Sequence, residues 1–230
     1  MRVVVAPQGA QSKIGEVVAV SVGGLQDLRN LRGRLIRTGI AKAPVAGRVF
    51  LGTYGFTGDA QGDAKHHGGP DNAAYAYSAD HYPLWRVEEG RAFAFGQFGE
   101  NLTIAGVRED DVNIGDVFRV GTARVQVTQP RIPCSNLAAH IGDAKFPDRF
   151  LASRRNGFYL RVLQEGEVGA GDAFVREAVG PERMTVREAV DLLYGDGGPR
   201  ARLEVLAKCA ALSARWRPQA EQRLQRVAAE

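Results

Sequence analysis

GDVFRVGTARVQVT occupies residues 115–128 and contains two short strands separated by a turn at Gly121-Thr122. In the second strand Val125 and Val127 alternate with polar neighbours, which is the period-2 pattern of a strand with one buried face. The Gly-Asp pair at 115–116 recurs at 171–172, again followed by an aromatic residue two positions on. The preference of Gly and Asp for turns explains this echo equally well, so it does not establish an internal repeat.

The same pattern extends to both sides of this stretch. Segments 14–22, 47–56 and 158–162 are rich in β-branched or aromatic residues and lie next to glycine-containing turns. Many short strands with Gly-rich turns favour a β-barrel or a β-sandwich. We therefore predict a mainly β domain over residues 1–180.

The hydrophobic period changes in residues 181–230. Thr185 and Glu188 form a capping box before an apolar helical stripe, and Pro199 and Pro218 are placed to begin two further helices. Three short amphipathic helices have too few apolar residues to be stable alone. We predict a three-helix segment that packs on the barrel or on a partner, and its amphipathic character is compatible with a homodimer.

Composition and charge exclude several classes of protein. The chain of 230 residues is 44% hydrophobic and 24% charged, unlike a disordered or collagen-like chain. It has no apolar run of about 18 residues and no signal-peptide core, which predicts a cytoplasmic protein without a membrane partner. The net charge of +4 is not gathered into a basic arm, which argues against a nucleic-acid polymer as partner.

Two cysteines and four histidines limit the cofactor chemistry. Two cysteines cannot build a disulfide framework or hold an iron–sulfur cluster, and so few ligands argue against zinc. The chain also lacks a Walker loop and a Gly-x-Gly-x-x-Gly fingerprint. A redox role would therefore need a bound cofactor of another kind or a reactive thiol.

Cys134 is the leading candidate for a functional thiol. It begins a predicted helical turn three residues after Arg131, and both features favour the thiolate, which attacks electrophiles or binds soft metals. His140 lies about 240° around that helix, so a thiol hydrolase would need a histidine supplied by another part of the fold. Cys209 lies beside an apolar helical stripe, which indicates a core residue.

Two further segments carry candidate polar groups. Residues 62–71, GDAKHHGGPD, allow a tight turn whose exposed amides would cradle an anion, although a purely structural turn is an equal alternative. Residues 98–103, FGENLT, place an acid and an amide at the start of a strand.

These segments together resemble the MOSC-domain proteins, and most closely their hydroxylaminopurine-resistance (YiiM-type) family. The motifs that carry the resemblance are, in chain order, TGIAK (38–42), GDAKHHGGPD (62–71), AYSADHYPLW (76–85), FGENLT (98–103), QPRIPC (129–134) and LSARW (212–216). The resemblance implies a β-barrel with short helices followed by a three-helix segment. It also implies that the protein binds the molybdenum cofactor (molybdopterin), with Cys134 as a ligand of the metal. The activity that the resemblance implies is the reduction of N-hydroxylated base analogues.

The residues suit this chemistry. A thiolate at Cys134 is a soft ligand for a molybdenum ion that also carries pterin sulfur. We expect Arg131 and Lys42 to neutralise the anionic cofactor. Ser135 and Asn136 would add donors at the start of the helix.

His67, Glu100 and Asn101 are further candidates. We expect them to form hydrogen bonds at the wall of the pocket or to supply the proton for the leaving oxygen. Because the chain lacks a cluster or nucleotide motif, we expect a separate redox protein to supply electrons. The alternatives are a sulfurtransferase that uses a persulfide on Cys134, and a non-catalytic carrier of the cofactor.

Overall fold

The computed structural model describes residues 12–60 and 69–229, and its centre is a closed β-barrel. The strands in these residues are β1 (Ser12–Val22), β2 (Gln26–Arg29), β3 (Leu35–Thr38), β4 (Ala43–Pro44), β5 (Arg48–Gly52), β6 (Gly55–Phe56), β7 (Ala74–Ser78), β8 (Leu102–Ala105), β9 (Val117–Val120), β10 (Ala123–Pro130), β11 (Phe158–Gln164), β12 (Gly166–Gly169) and β13 (Ala173–Ala178). The barrel has the order β13-β9-β10-β11-β7-β8-β1, and β1 pairs again with β13. Neighbours are antiparallel except β7 and β8, which are parallel. The predicted β-barrel is confirmed.

The long strand β1 closes the barrel. It pairs with β13 through its first half and with β8 further along, and its register shifts between Lys13 and Gly15 and again between Val17 and Ala19. Such bulges bend a strand and increase its twist, which a closed barrel requires.

The barrel core contains the alternating residues that the sequence indicated. Val125 and Val127 of β10 are fully buried, as are Phe118 of β9 and Phe174 of β13. The rings of Phe118 and Phe174 stack with their centroids 4.2 Å apart. The two Gly-Asp turns therefore lead into neighbouring, paired strands.

The α-helices in the described residues are α1 (Tyr82–Glu89), α2 (Ser135–Ile141), α3 (Phe146–Ala152), α4 (Val186–Tyr194), α5 (Arg200–Lys208) and α6 (Arg217–Ala229), and single 3₁₀ turns are formed by Pro70–Asn72 and Ala79–His81. The predicted three-helix segment is confirmed as α4 to α6. Its first helix begins at the predicted cap, because the Thr185 hydroxyl accepts a hydrogen bond from the Glu188 amide at 3.1 Å. Cys209 is buried as predicted, in the same core as the barrel. No helix among the described residues is both long enough and apolar enough to cross a membrane.

The α5–α6 connection is tied to the barrel by polar contacts. The Ser213 hydroxyl donates to Gln129 Oε1 at the end of β10. The Ala214 amide donates to Asp71 Oδ2 at 3.1 Å. The other oxygen of Asp71 pairs with Arg161 at 2.9 Å. The helical segment therefore fixes the turn that precedes β7.

A second, aromatic cluster lies outside the barrel against α1 and α3, two helices that the sequence pattern does not predict. Trp85 of α1 stacks on Phe150 of α3 with ring centroids 5.6 Å apart. Tyr75 and Tyr77 of β7 and Phe98 complete this side of the protein. Each helix has about two turns, which is too short for a clear helical period.

Candidate functional site

A cleft lies between the end of the barrel and the aromatic cluster. It encloses about 670 Å³, including its open mouth. Its walls come from widely separated segments: Thr38, Gly39, Ile40, Lys42, Asp59, Ala60, Asn72, Tyr75, Phe98, Gly99, Asn101, Arg131, Ile132, Cys134, Asn136 and Tyr159. The fold thus brings five of the predicted site residues to one cavity.

Cys134 lies on the cleft wall, where the chain leaves β10. It has an extended backbone and is the N-cap residue of α2, but its side chain makes no capping hydrogen bond. The thiol is free and the residue is partly exposed. No group of three or more His, Cys, Asp or Glu side chains that would hold a metal ion occurs among residues 12–60 and 69–229. The described residues therefore offer no complete set of protein ligands, and a metal bound by Cys134 would need its other ligands from a cofactor.

Arg131 is the clearest sign of an anionic ligand. Its side chain is buried, with 4% of the residue exposed, and Nη1 has no hydrogen-bond partner in the described structure. The guanidinium lies over the rings of Tyr75, at 5.5 Å, and Phe150, at 5.2 Å. None of the ion pairs among the described residues gives it a carboxylate. A buried cation without a counter-ion is costly, so an anion bound in the cleft would relieve this cost.

Lys42 reaches the cleft already paired with Asp59. Burial lowers the pKa of Lys42, and the pairing with Asp59 opposes this shift. Asn101 holds the pair in place, because its Nδ2 donates to Asp59 Oδ2 at 2.9 Å. The Asn101 Oδ1 accepts the Tyr75 amide at 3.1 Å, so this side chain joins the pair to β7.

Glu100 lies behind the cleft wall. It is fully buried and accepts hydrogen bonds from the Tyr82 hydroxyl and from the amides of Gly96, at 2.6 Å, and Phe98, at 3.1 Å. Burial raises the pKa of Glu100, and these hydrogen bonds oppose the shift. This placement suits a residue that holds the 96–101 loop rather than one that contacts a ligand.

We expect Glu100→Gln to change how the free energy of unfolding depends on pH. Because the pKa of Glu100 is raised, the folded chain keeps this proton at pH values at which the unfolded chain has lost it. The resulting stabilisation is complete below the ordinary glutamate pKa of about 4.3 and is lost as the pH rises through the raised pKa. The difference in free energy of unfolding between the wild type and the variant should therefore shrink as the pH rises from about 4 towards neutrality.

Urea unfolding at a series of pH values measures this advantage. Glu165→Gln is the control with the opposite sign, because hydrogen bonds from Thr53 lower the pKa of Glu165. The advantage over Glu165→Gln should grow as the pH rises. A constant or growing advantage over Glu100→Gln would contradict the prediction.

The remaining predicted site residues are placed differently. Asn136 lines the cleft, and its Nδ2 approaches Thr38 Oγ1 at 3.5 Å. Ser135 begins α2 and is not among the residues of the cleft wall. His67 lies outside the described residues.

Eleven wall residues were not predicted as site residues, and three of these have titratable side chains: Asp59, Tyr75 and Tyr159. Asp59 is the counter-ion of Lys42. Tyr75 and Tyr159 lie on neighbouring strands with ring centroids 5.3 Å apart. Burial raises the pKa of Tyr159, and the nearby Arg131 opposes this shift. The Ala-Tyr-Ala-Tyr alternation at 74–77 was an available strand signal, since the alanines face the barrel core and the tyrosines face the aromatic cluster.

The sequence matches two known domain families. Residues 63–175 match the MOSC domain, and residues 184–226 match the YiiM-like, 3-alpha helix domain. Protein YflK of Bacillus subtilis (strain 168) is 40% identical over 201 residues, which is 87% of this chain and 90% of YflK.

Two further relatives bear on the fold and the activity. The structure is similar to the crystal structure of YiiM from Geobacillus stearothermophilus, with a TM-score of 0.77 and 35% identity, over 91% of this chain and 99% of that chain. A reductase of Gibberella moniliformis (strain M3125 / FGSC 7600) is 32% identical over 164 residues. The match covers 70% of this chain but only 29% of the reductase, so most of that protein lies outside the similarity.

Proposed function

The chain belongs to the MOSC family, in the group that carries a YiiM-like three-helix domain, and from this premise we propose that it is a molybdenum-cofactor-dependent reductase of N-hydroxylated compounds. The observation that carries the proposal is the presence, in one cleft, of the free thiol of Cys134 and of the buried guanidinium of Arg131, whose Nη2 donates to the Phe98 carbonyl oxygen at 3.4 Å while Nη1 has no partner among the described residues. The similarity to a reductase supports the redox class.

The residues of the cleft fit this cofactor. A thiolate is a soft ligand, which suits a molybdenum ion that also carries pterin sulfur. The unsatisfied Nη1 of Arg131 matches an anionic group such as the pterin phosphate.

When bound, the cofactor supplies the two-electron chemistry that, with two protons, converts an N–OH group to N–H and releases water. Cys134 holds the metal, and Arg131 holds the anionic part of the cofactor. Lys42 contributes hydrogen bonds rather than a free charge, because Asp59 already balances it. Asn136 adds an amide to the wall. His67 stays our candidate for the proton source.

The electrons come from a separate redox protein in this proposal. The sequence offers no iron–sulfur cysteine set and no standard nucleotide-binding motif, so the chain has no recognisable electron entry of its own. Turnover of the purified protein with NADH alone would contradict this part of the proposal.

The test is to produce the protein in a host that makes the cofactor. Molybdenum per chain is then measured by mass spectrometry, and reduction of hydroxylaminopurine and of an amidoxime is measured with reduced methyl viologen as donor. We expect nearly one molybdenum per chain and turnover of at least one substrate. If the protein binds molybdenum but reduces neither substrate, the proposal of a reductase is wrong and the protein is a cofactor carrier. Absence of metal, with an added sulfur atom on Cys134, would replace it by a sulfurtransferase.

A further inference from the structure

The hairpin formed by β2 and β3 carries much of the net charge of the protein. Its two strands pair with each other in a sheet of their own. Four arginines (Arg29, Arg32, Arg34 and Arg37) and one aspartate (Asp27) give it a net charge of +3, whereas the whole chain carries +4. Positive charge is therefore concentrated on this one hairpin, which corrects the expectation that the chain has no basic arm.

These charges are not used inside the protein. All four arginines are exposed. Arg29 donates to the Gly33 carbonyl oxygen at 3.0 Å, while none of the hairpin arginines forms an ion pair with a carboxylate of the described residues. Uncompensated surface charge of one sign attracts partners of the opposite sign and accelerates their association.

The outward face of the hairpin combines this charge with apolar surface. Arg29 lies opposite Leu35, and Arg37 lies opposite Asp27. Because side chains alternate along a strand, these residues share one face, while Leu28 and Ile36 lie on the other and are half-buried. Leu35 is 54% exposed, and Leu25 and Leu31 at the base and tip are 41% and 50% exposed. Exposed apolar residues among arginines, without lysine, are typical of a protein–protein interface.

The hairpin ends at the cleft. Thr38, the last residue of β3, lines the cleft together with Gly39 and Ile40. Gly23, which precedes β2, lies at the same base of the hairpin as Thr38, and its amide donates to Asp59 Oδ1 at 2.9 Å. A strand of four residues extends about 13 Å. A partner seated on the hairpin would therefore lie beside the mouth of the cavity that holds Cys134.

We infer that the β2–β3 hairpin is the docking surface for a redox protein with an acidic surface, which delivers electrons to the cleft. This inference rests on the proposed function, which requires such a donor. Weak redox encounters use small, electrostatically guided interfaces, and one hairpin supplies an area of that kind.

Two other ligands of a basic surface fit less well. A lipid bilayer would favour apolar residues gathered on one side or at one tip, but Leu25, Leu31 and Leu35 are spread from base to tip. Single-stranded nucleic acid would favour aromatic side chains for base stacking, and residues 25–38 contain none.

The experiment reverses two charges in the turn. Arg32→Glu/Arg34→Glu is compared with Arg86→Glu/Arg226→Glu, which makes the same change in net charge on exposed residues of α1 and α6. Binding of an acidic [2Fe–2S] ferredoxin to the cofactor-free protein is measured by calorimetry at low and high salt. We expect the hairpin variant to bind at least about tenfold more weakly, and the control to stay within about twofold of the wild type.

A second readout uses the cofactor-loaded protein. Turnover driven by reduced ferredoxin should fall in the hairpin variant, whereas turnover driven by methyl viologen, a small dye that needs no docking surface, should be retained. Unchanged ferredoxin binding in the hairpin variant, or an equal loss in the control, would overturn the inference. Binding of phosphatidylserine vesicles in place of ferredoxin would also overturn it. If the wild type shows no turnover even with methyl viologen, the proposed function is wrong, whereas the measured binding of ferredoxin to the hairpin still stands.

Discussion

Cys134→Ser is expected to lose its molybdenum and to lower turnover by more than about 100-fold. Replacing a residue that only supports a metal ligand typically lowers metal affinity or activity about 10- to 100-fold. Replacing the ligand itself should lower them further. Serine keeps the shape of the side chain but presents a hard oxygen in place of a soft sulfur. Molybdenum per chain and dye-driven turnover measure the effect.

The folded state should survive this change. Cys134 is the N-cap residue of α2 and makes no capping hydrogen bond, whereas serine is among the preferred N-cap residues. We therefore expect the free energy of unfolding of the cofactor-free variant to equal that of the wild type or to exceed it by up to about 1 kcal/mol. Loss of metal would then reflect the missing thiolate and not unfolding.

Cys209→Ala is the matched control. Cys209 follows the last residue of α5, is buried in the core that the helical segment shares with the barrel, and is not among the cleft residues. This variant should keep its molybdenum and its turnover while losing about 1 kcal/mol of stability from reduced packing. A Cys134→Ser protein with stoichiometric metal and normal turnover would remove the central residue of the proposal.

Arg131→Met is expected to weaken retention of the cofactor by about 10- to 100-fold without destabilising the cofactor-free protein. The change removes the charge that would bind the anionic group, which is worth about 1.5–3 kcal/mol for a charged hydrogen bond. It also removes a buried cation with an unsatisfied Nη1, whose burial costs stability. We expect the free energy of unfolding to stay the same or rise by up to about 2 kcal/mol.

Arg155→Met separates this effect from a general effect of replacing a buried arginine. Arg155 is buried too, but it pairs with Glu88 and its guanidinium lies 3.9 Å over the ring of Trp85. We expect its loss to cost about 1 kcal/mol of stability and to leave cofactor retention unchanged. Retention is followed by gel filtration and metal analysis, and stability by urea unfolding. A loss of more than about 1 kcal/mol in Arg131→Met would show that the arginine is structural.

The strands of the barrel were predictable where alternation was long enough to detect. In the β9–β10 hairpin, buried Phe118 and Val120 and buried Ala123, Val125 and Val127 alternate with more exposed residues, and the structure forms strands at both predicted positions. The helices α1 and α3 were not found, because each is only about two turns long and its burial depends on aromatic partners from other segments. Their prolines near the start, Pro83 and Pro147, were the local signal that was available.

The candidate site was only partly predictable for a different reason. Cys134, Arg131 and Lys42 have chemistry that stands out in a sequence, and all three reach the cleft. No sequence motif around Asp59 or Tyr159 marks either of them as a site residue, and only the fold brings them to the same wall. Among the described residues no carboxylate pairs with Arg131, and this too is a property of the fold, since acidic residues are frequent along the chain.

The contacts of the α5–α6 connection make anchoring of the turn beside the cleft a late event in the synthesis of the protein. The Ala214 amide and Asp71 are 143 residues apart, and Ser213 and Gln129 are 84 residues apart. Contacts between residues so distant in sequence form late and slowly, because the entropy of closing long loops opposes them. A nascent chain therefore carries Cys134 well before the turn beside it is anchored. The cleft wall itself comes from residues 38–159, so a chain released before residue 213 has all of the lining residues but lacks these two anchors of the turn beside the cleft.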